Sequence, residues 1–375
     1  MNAVICGFVR SPFTPAKKGA LSDTRPDDIA AEVIKGLINK TGVDPNLIED
    51  IILGCAFPEA EQGFNLARML SFLSDLPPSV AGVTVNRFCG SSMQAIHDAA
   101  GRIAMGSGDA FIAGGVESMT RIPMSGFNPM PNPRLAKEMP EAYTNMGLTA
   151  ENLAVIYEIE RGTQEDFAVE SHRRATNAEF SDVIIPITTS GGVVSTDGCI
   201  RADSDSSSLA RLKPAFKSDG SVTAGTSSPL TDGAAFGLGC SEEFARAQGL
   251  EILASIESTA VSGCSPEVMG IGPVSATKKA LLRAGLSLED VDVIELNEAF
   301  AAQSLAVIEE LGLDVSKVNV DGGALALGHP LGASGARIVG RAATILARKD
   351  AEIALATMCI GGGQGIATVL RRVNK

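Results

Sequence analysis

The segment Leu47-Ile48-Glu49-Asp50-Ile51-Ile52 returns in character as Leu288-Glu289-Asp290-Val291-Asp292-Val293-Ile294, and the stretches downstream of the two copies also match. In the first half Val83-Thr84-Val85 leads to Cys89, a helix from Ser92 to about Met105, a strand Ala110 to Ala113 and the pair Gly114-Gly115. In the second, Val318-Asn319-Val320 leads through Gly322-Gly323 to His329, a helix from about Ser334 to Ala347, and a strand Ile353 to Ala356 before Met358-Cys359-Ile360-Gly361-Gly362-Gly363. A repeat of whole supersecondary units constrains architecture more than any local propensity does. The chain reads as a duplicated α/β unit. Its 375 residues exceed what one core usually supports, which fits two halves around a shared centre.

Each half opens in the same way. Ile5 to Val9 and Ile51 to Gly54 read as strands flanking a helix that starts near Pro26 and turns Ile29, Val33, Ile34, Leu37 and Ile38 to one face. Phe64 to Arg68 starts a second helix. Beyond Glu251, strand Ile252 to Ser258, helix Ala276 to Ala284, strand Val291 to Glu295 and a helix through Asn297 to Leu311 repeat the pattern. Between the halves the texture changes: Pro123, Pro129, Pro131 and Pro133 crowd together, and helical periodicity returns over Thr149 to Tyr157 and Thr163 to Phe180, the latter opening on a cap-like Thr163. The division this predicts is 1–118 for the first half, 119–223 for an inserted loop or lid, 224–250 for the return of the chain, and 251–375 for the second half.

Composition excludes several functions. The net charge of −13 argues against binding a nucleic-acid backbone, and with no Trp and only 4% aromatics there is no sign of a base-stacking platform. No apolar run approaches the roughly 20 residues of a membrane helix. The opening Met1 to Arg10 lacks the basic flank and long apolar stretch of an export signal, so a cytoplasmic protein is expected. Seven widely spaced cysteines do not suggest a disulfide framework. The three histidines, 97, 172 and 329, lie more than four residues from one another and from any cysteine, so no metal site is expected. Gly361-Gly362-Gly363-Gln364-Gly365 runs into β-rich Ile366 to Leu370 rather than a helix, so it is not a dinucleotide fingerprint. Its use is to bring backbone N–H groups close to a substrate oxygen.

In a duplicated α/β fold reactive groups gather where strands end and loops of both halves converge. Cys89, Asn297, His329 and Cys359 all occupy such ends. A thiol nucleophile needs a base, donors for an oxyanion, and a second acid if a carbon is to be protonated, and these four side chains supply those types. At the start of a helix Cys89 would also meet unpaired N–H groups and the positive end of the dipole, both favouring a thiolate. Each has an ordinary alternative: a cysteine filling space, a histidine bonded to a carbonyl, an asparagine capping a helix. His97, inside a helix, and His172, within Glu170 to Arg174, read as structural or solvated.

At these residues the sequence resembles the thiolase family. Asn86 to Ile96 is similar to that family's nucleophile motif, Asn297-Glu298-Ala299-Phe300-Ala301 to its Asn-Glu-Ala-Phe block, Gly322 to Gly335 to its histidine signature, and Cys359 to Gly365 to its closing cysteine loop. The resemblance spans nearly the whole chain. It implies two thiolase-like βαβαβαββ halves forming a five-layered αβαβα core with an inserted loop domain. Cys89-Gly90-Ser91-Ser92-Met93-Gln94, Ala224-Gly225-Thr226-Ser227-Ser228 and Ala356-Thr357-Met358-Cys359-Ile360 look most like members that degrade 3-ketoacyl-CoA in bacterial fatty-acid oxidation.

The resemblance further implies that Cys89 is acylated, that His329 activates it, and that His329 with a water held by Asn297 stabilises one oxyanion. It implies a second oxyanion hole from the N–H groups of Cys89 and Gly361, with Cys359 protonating the leaving carbanion. Ser228 and Met269 would line the pantetheine channel and Arg201 would approach the nucleotide of coenzyme A, a co-substrate; no permanently bound cofactor is implied. A homodimer or homotetramer follows from the same source, as does a possible hydratase/dehydrogenase subunit as partner. The alternatives are a biosynthetic acetoacetyl-CoA thiolase, a decarboxylating condensing enzyme, against which Cys359 argues, and a non-catalytic acyl-CoA-binding scaffold.

Overall fold

The computed structural model describes residues 2–349 and 351–373. Its strands are β1 (Ala3–Arg10), β2 (Thr14–Pro15), β3 (Asp50–Gly54), β4 (Ala81–Val85), β5 (Ala110–Ser118), β6 (Ile187–Thr189), β7 (Gly192–Val194), β8 (Thr231–Ser241), β9 (Ala254–Gly263), β10 (Val293–Leu296), β11 (Ile353–Ile360) and β12 (Gln364–Arg371). Every residue of β1, β3, β5, β10 and β11 is buried, which is why these strands read as near-continuous apolar runs instead of alternating ones.

The first half-sheet runs β4-β3-β5-β8-β1 and the second β10-β11-β12-β9, with Val318 bridged parallel to Ile294 on the outer side of β10. Counted along the chain, both halves run third, second, fourth, fifth, first. The parallel pairs are β3 with β4 and β5, and β10 with β11; the remaining main pairs are antiparallel. Topology therefore carries the duplication that the sequence repeat predicts. Among the described residues the half-sheets join where Val4 lies opposite Ser255 and Ile5 opposite Ala254, with Leu253 N–H donating to Ile5 O at 2.8 Å.

Three apolar clusters fill the spaces between layers. Helices Pro26–Thr41 and Leu66–Leu73 cover the outer face of the first half-sheet, and Gly272–Ala284 and Ala301–Leu311 that of the second. Between the sheets lie Ser91–Ala104 and Leu331–Lys349, giving five layers, α, β, α, β, α. Leu331–Lys349 is buried along nearly its whole length, and its buried Arg337 and Arg341 are paired with Glu295 and Asp321. The two central helices cross where Gly335 leaves room: a Cβ there would overlap the backbone of Met93. They are hydrogen-bonded there, Ala336 N–H donating to Ser92 Oγ at 2.8 Å.

The stretch 119–223 carries helices Pro133–Glu138, Met146–Ile156, Arg161–Asn177 and Ser206–Leu209 and the hairpin β6–β7. No helix among the described residues is long and apolar enough to cross a membrane.

Four local expectations need correction. β5 does not end at Gly114-Gly115 but runs to Ser118; a Cβ on Gly115 would overlap the carbonyl of Gly332, so this glycine serves a close approach and not a turn. The helix expected from Asn297 begins only at Ala301, with extended Phe300 before it, which leaves Asn297 in a loop. Thr163 is not a cap: that helix starts at Arg161, and its N-cap, Glu160, makes no side-chain bond. Val318 to Val320 contributes a single bridge because Asn319, at φ 45°, turns the chain away.

Two glycines test the packing. Gly335→Ala should destabilise the protein by roughly 1–3 kcal/mol through overpacking at the helix crossing. Gly101, in the partner helix, has nothing within 4 Å of a built Cβ. Gly101→Ala should therefore stabilise by about 0.5–1 kcal/mol, and denaturant unfolding of both variants measures the contrast.

Candidate active site

β4 ends at Val85 and the helix of the first half begins at Ser91, so the chain turns within five residues. Asn86 makes the turn possible. Its Oδ1 accepts the Phe88 N–H at 2.8 Å and its Nδ2 donates to Ala56 O at 2.9 Å. Ser91 Oγ accepts the Arg87 N–H at 2.9 Å and donates to Phe88 O at 2.6 Å. These bonds hold Phe88 at φ 43°, a left-handed conformation that costs a non-glycine residue about 1–2 kcal/mol. Gly90 is buried where a Cβ would press on Ile360. Cys89 sits at the apex, partly exposed.

The backbone N–H of Gly361 and that of Cys89 itself are both directed at the Cys89 thiol and pull its pKa down. Desolvation outweighs them and pushes it up to about 11. The free thiol is thus protonated at neutral pH, which reverses the expectation that the helix start alone makes a thiolate. Cys359, buried near the end of β11, is raised still more clearly, first by burial and then by the neighbouring Cys89. It packs with Met269 and Ala299, and with Met146 and Phe300 at the edge of the cluster.

His329 lies between Gly328, at φ 98°, and Pro330. A Cβ on Gly328 would crowd Thr231 Oγ1, the atom that accepts the His329 backbone N–H at 3.1 Å. Ring Nδ1 lies 2.5 Å from Ser334 Oγ, and Nε2 lies 3.5 Å from Asn297 Nδ2. Burial, reinforced by Arg337, drives the imidazole pKa down to about 3, so the ring is neutral.

Asn297 is fully buried, its N–H donates to Thr357 O at 3.0 Å, and its Oδ1 has no hydrogen-bond partner among the described residues. The loop it stands on is fixed from below by Glu298, whose carboxylate accepts from Ser171 Oγ at 2.6 Å, Asn319 Nδ2 at 2.7 Å and Leu325 N–H at 3.2 Å.

These groups close a ring of contacts. Cys89 meets Gly361 and Cys359; Cys359 packs on Ala299, two residues beyond Asn297; Asn297 reaches His329; and Leu331, just past His329, packs back toward Cys89 with Ala56 and Met119. Ser228 adjoins the ring, its N–H and Oγ both donating to Ala299 O at 3.0 Å. Met269 lies under Cys359. Arg201 stands apart on the surface: its backbone N–H donates to His172 Nδ1 at 3.1 Å, and its guanidinium has no hydrogen-bond or ion-pair partner among the described residues.

The other histidines are neutral structural groups. His97 Nε2 lies 2.8 Å from Thr368 Oγ1 with its pKa lowered by burial to about 3, and His172 is lowered to about 4 for the same first reason. Sequence reasoning missed Ser334, Thr231, Met146 and the Glu298–Asn319 pair. Ser334 and Glu298 had a signal, standing inside the histidine motif and the Asn-Glu-Ala-Phe block; Thr231, Met146 and Asn319 reach the site by tertiary contact.

Residues 3–243 match the family model described as thiolase, N-terminal domain, and residues 250–372 that described as thiolase, C-terminal domain. 3-Ketoacyl-CoA thiolases of Shewanella sp. (strain MR-7) and Shewanella oneidensis are each 50% identical over 99% of this chain and 100% of theirs. Among solved structures, human mitochondrial 3-ketoacyl-CoA thiolase in complex with CoA has a TM-score of 0.91 and 36% identity, over 99% of this chain and 98% of that one. The Bacillus anthracis acetyl-CoA acetyltransferase gives 0.92 and 40%, over 99% of each chain. Full-length similarity, the duplicated five-layered fold and the two-cysteine site agree, and the chain belongs to the thiolase family.

Proposed function

We propose that this chain is a 3-ketoacyl-CoA thiolase, cleaving 3-ketoacyl-CoA with coenzyme A to acetyl-CoA and a shortened acyl-CoA in cytoplasmic fatty-acid β-oxidation. The observation that carries the reading is the pairing of two cysteines, one at a strand-to-helix turn beneath two N–H donors and one buried beside it, with a neutral histidine. The names of the relatives at 50% identity support the substrate class.

The chemistry follows from the groups. Cys89 gives its proton to His329 Nε2 as the sulfur attacks the C3 ketone, and the resulting oxyanion is met by the N–H groups of Cys89 and Gly361. The C2–C3 bond then breaks. Its electron pair passes to the acetyl thioester, whose oxygen is met by His329 and a water on Asn297, and C2 takes a proton from Cys359. The Cys359 thiolate then takes the proton of a second coenzyme A thiol, whose sulfur attacks the acyl-Cys89 thioester, and His329 returns its proton to the departing Cys89 sulfur, restoring both cysteines and the neutral histidine. Ser228 and Met269 border the way in for pantetheine, and the unpartnered guanidinium of Arg201 suits the phosphates of coenzyme A.

An open sheet edge supports a homo-oligomer. Among the described residues β4 pairs with β3 alone, and Phe64, 95% exposed, and Phe72 stand beside it, a combination that invites a second copy. A dimer, or a dimer of dimers, meets that demand, and a hydratase/dehydrogenase subunit is a further partner to test by co-purification.

Because the free thiol and imidazole are both neutral, alkylation of Cys89 by iodoacetamide without substrate should keep rising as pH climbs past 9 toward about 11. A rate already on a plateau at pH 7 would mean a resting thiolate–imidazolium pair. A panel of 3-ketoacyl-CoA substrates from C4 upward checks the function, and activity confined to C4 would favour the acetoacetyl-CoA reading.

The two cysteines separate by role. Cys359→Ala should still be acylated on Cys89 by acetyl-CoA but lose cleavage of 3-ketoacyl-CoA and hydrogen–deuterium exchange at the acetyl methyl group. His329→Ala should slow acylation itself by roughly 10²–10³-fold. Near wild-type cleavage by Cys359→Ala would leave Cys359 a core filler.

A further inference from the structure

His329 touches one side chain to which the reaction above gives no task. Ser334, 1% exposed, stands in the first turn of Leu331–Lys349 with its Oγ 2.5 Å from Nδ1 of the ring. One of these two atoms must donate. Ser334 Oγ also lies 3.0 Å from Pro330 O, an acceptor only, so the hydroxyl hydrogen has a place to go there. With that hydrogen given to the carbonyl, Oγ offers Nδ1 a lone pair, and Nδ1 carries the ring hydrogen.

The far side of the ring agrees. Nε2 faces Asn297 Nδ2 at 3.5 Å, a group with hydrogens to give and no lone pair to offer. A hydrogen on Nε2 would oppose it, whereas a bare Nε2 can accept from it. The opposite tautomer needs two changes at once: the serine hydroxyl turned away from Pro330 O, and the Asn297 amide turned over. The backbone beneath is fixed independently by the His329 N–H on Thr231 Oγ1, and Thr231 Oγ1 in turn donates to Pro229 O at 2.6 Å.

We propose that Ser334 is a positioning residue that holds His329 as its Nδ1–H tautomer and so leaves the Nε2 lone pair free to take the proton of Cys89. The hydrogen bond of one ring nitrogen decides what the other can do. The familiar orienting group for a catalytic histidine is a carboxylate, which also stabilises the cation. A serine orients without adding charge. His329 can take the Cys89 proton with no rearrangement at Nδ1, since Nδ1–H keeps its bond to Ser334 in both states; the hydrogen gained at Nε2 then faces the Asn297 amide, which favours passing it on.

The inference rests on reading His329 as the base, and the two are tested separately. With three histidines in the chain, ring-15N-histidine labelling of the full-length protein gives few signals, assigned by His97→Gln and His172→Gln. The resting enzyme at neutral pH should show a pyrrole-type Nδ1 and a pyridine-type Nε2 for His329. Ser334→Ala should move the ring toward the Nε2–H form and slow acylation of Cys89 by about tenfold or more with KM little changed, and Ser334→Thr should restore both. A wild-type ring protonated at Nε2, a tautomer unmoved in Ser334→Ala, or acylation at the wild-type rate in that variant would each overturn the proposal. Normal acylation by His329→Ala would instead remove the base itself while leaving the tautomer measurement intact.

Discussion

The buried N-terminus of Leu331–Lys349 is the constraint on which the site depends. A helix start leaves N–H groups without intrahelical partners, and inside a protein they must be met. Here Gly332 N–H donates to Glu117 Oε2 of the other half at 2.9 Å, and the Ala333 and Ser334 N–H groups to Pro330 O at 2.9 and 3.0 Å; further along, Ala336 N–H donates to Ser92 Oγ, also of the other half, at 2.8 Å. Glu117 has no ion-pair partner among the described residues; burial pushes its pKa up, and N–H donors, including Ala56 at 2.8 Å and Gln62 Nε2 at 2.7 Å, work against that. One carboxylate thereby ties the helix behind His329 to the wall beside Cys89. The two central helices approach closely at Gly335 and Met93, where a side chain on Gly335 would have no room. As a result the starts of both helices, and with them Cys89 and His329, lie at the same end of the central layer.

That enclosure sets the electrostatics. Burial raises both thiols and lowers the imidazole, so each group rests in its uncharged form. Behind His329 the buried Arg337, 2.9 Å from Glu295, adds positive potential that further disfavours an imidazolium. On the proposed mechanism a charge then appears only once substrate is bound, when the N–H groups of Cys89 and Gly361 have an oxyanion to meet. A site of fixed donors in a dry environment stabilises such a developing charge more than water would.

Much of this was legible in the sequence because duplication and strand ends are local signals. The repeat around Leu47 and Leu288 gave the architecture, and Cys89, Asn297, His329 and Cys359 fell together because each follows or ends a strand. What escaped depended on contacts between halves. Gly115 looked like a turn because nothing nearby in sequence shows that Gly332 passes over it. Asn297 looked like the start of a helix because what holds its loop is Asn319, which bonds Leu296 O and the Glu298 carboxylate from another segment. The thiolate expectation failed for a related reason: a helix start is visible in a sequence, whereas desolvation by a second domain half is not.

The central claim is that the interlocked halves deliver one nucleophile, Cys89, to a site whose other groups come from the opposite half. The most direct measurement is to incubate the enzyme with a 3-ketoacyl-CoA in the absence of free coenzyme A and locate the covalent acyl group by peptide mass spectrometry. The account predicts the shortened acyl chain on Cys89 and acetyl-CoA released in equal amount. An acyl group on Cys359 or any other residue, or acetyl-CoA released with no acyl group on the protein, would contradict it.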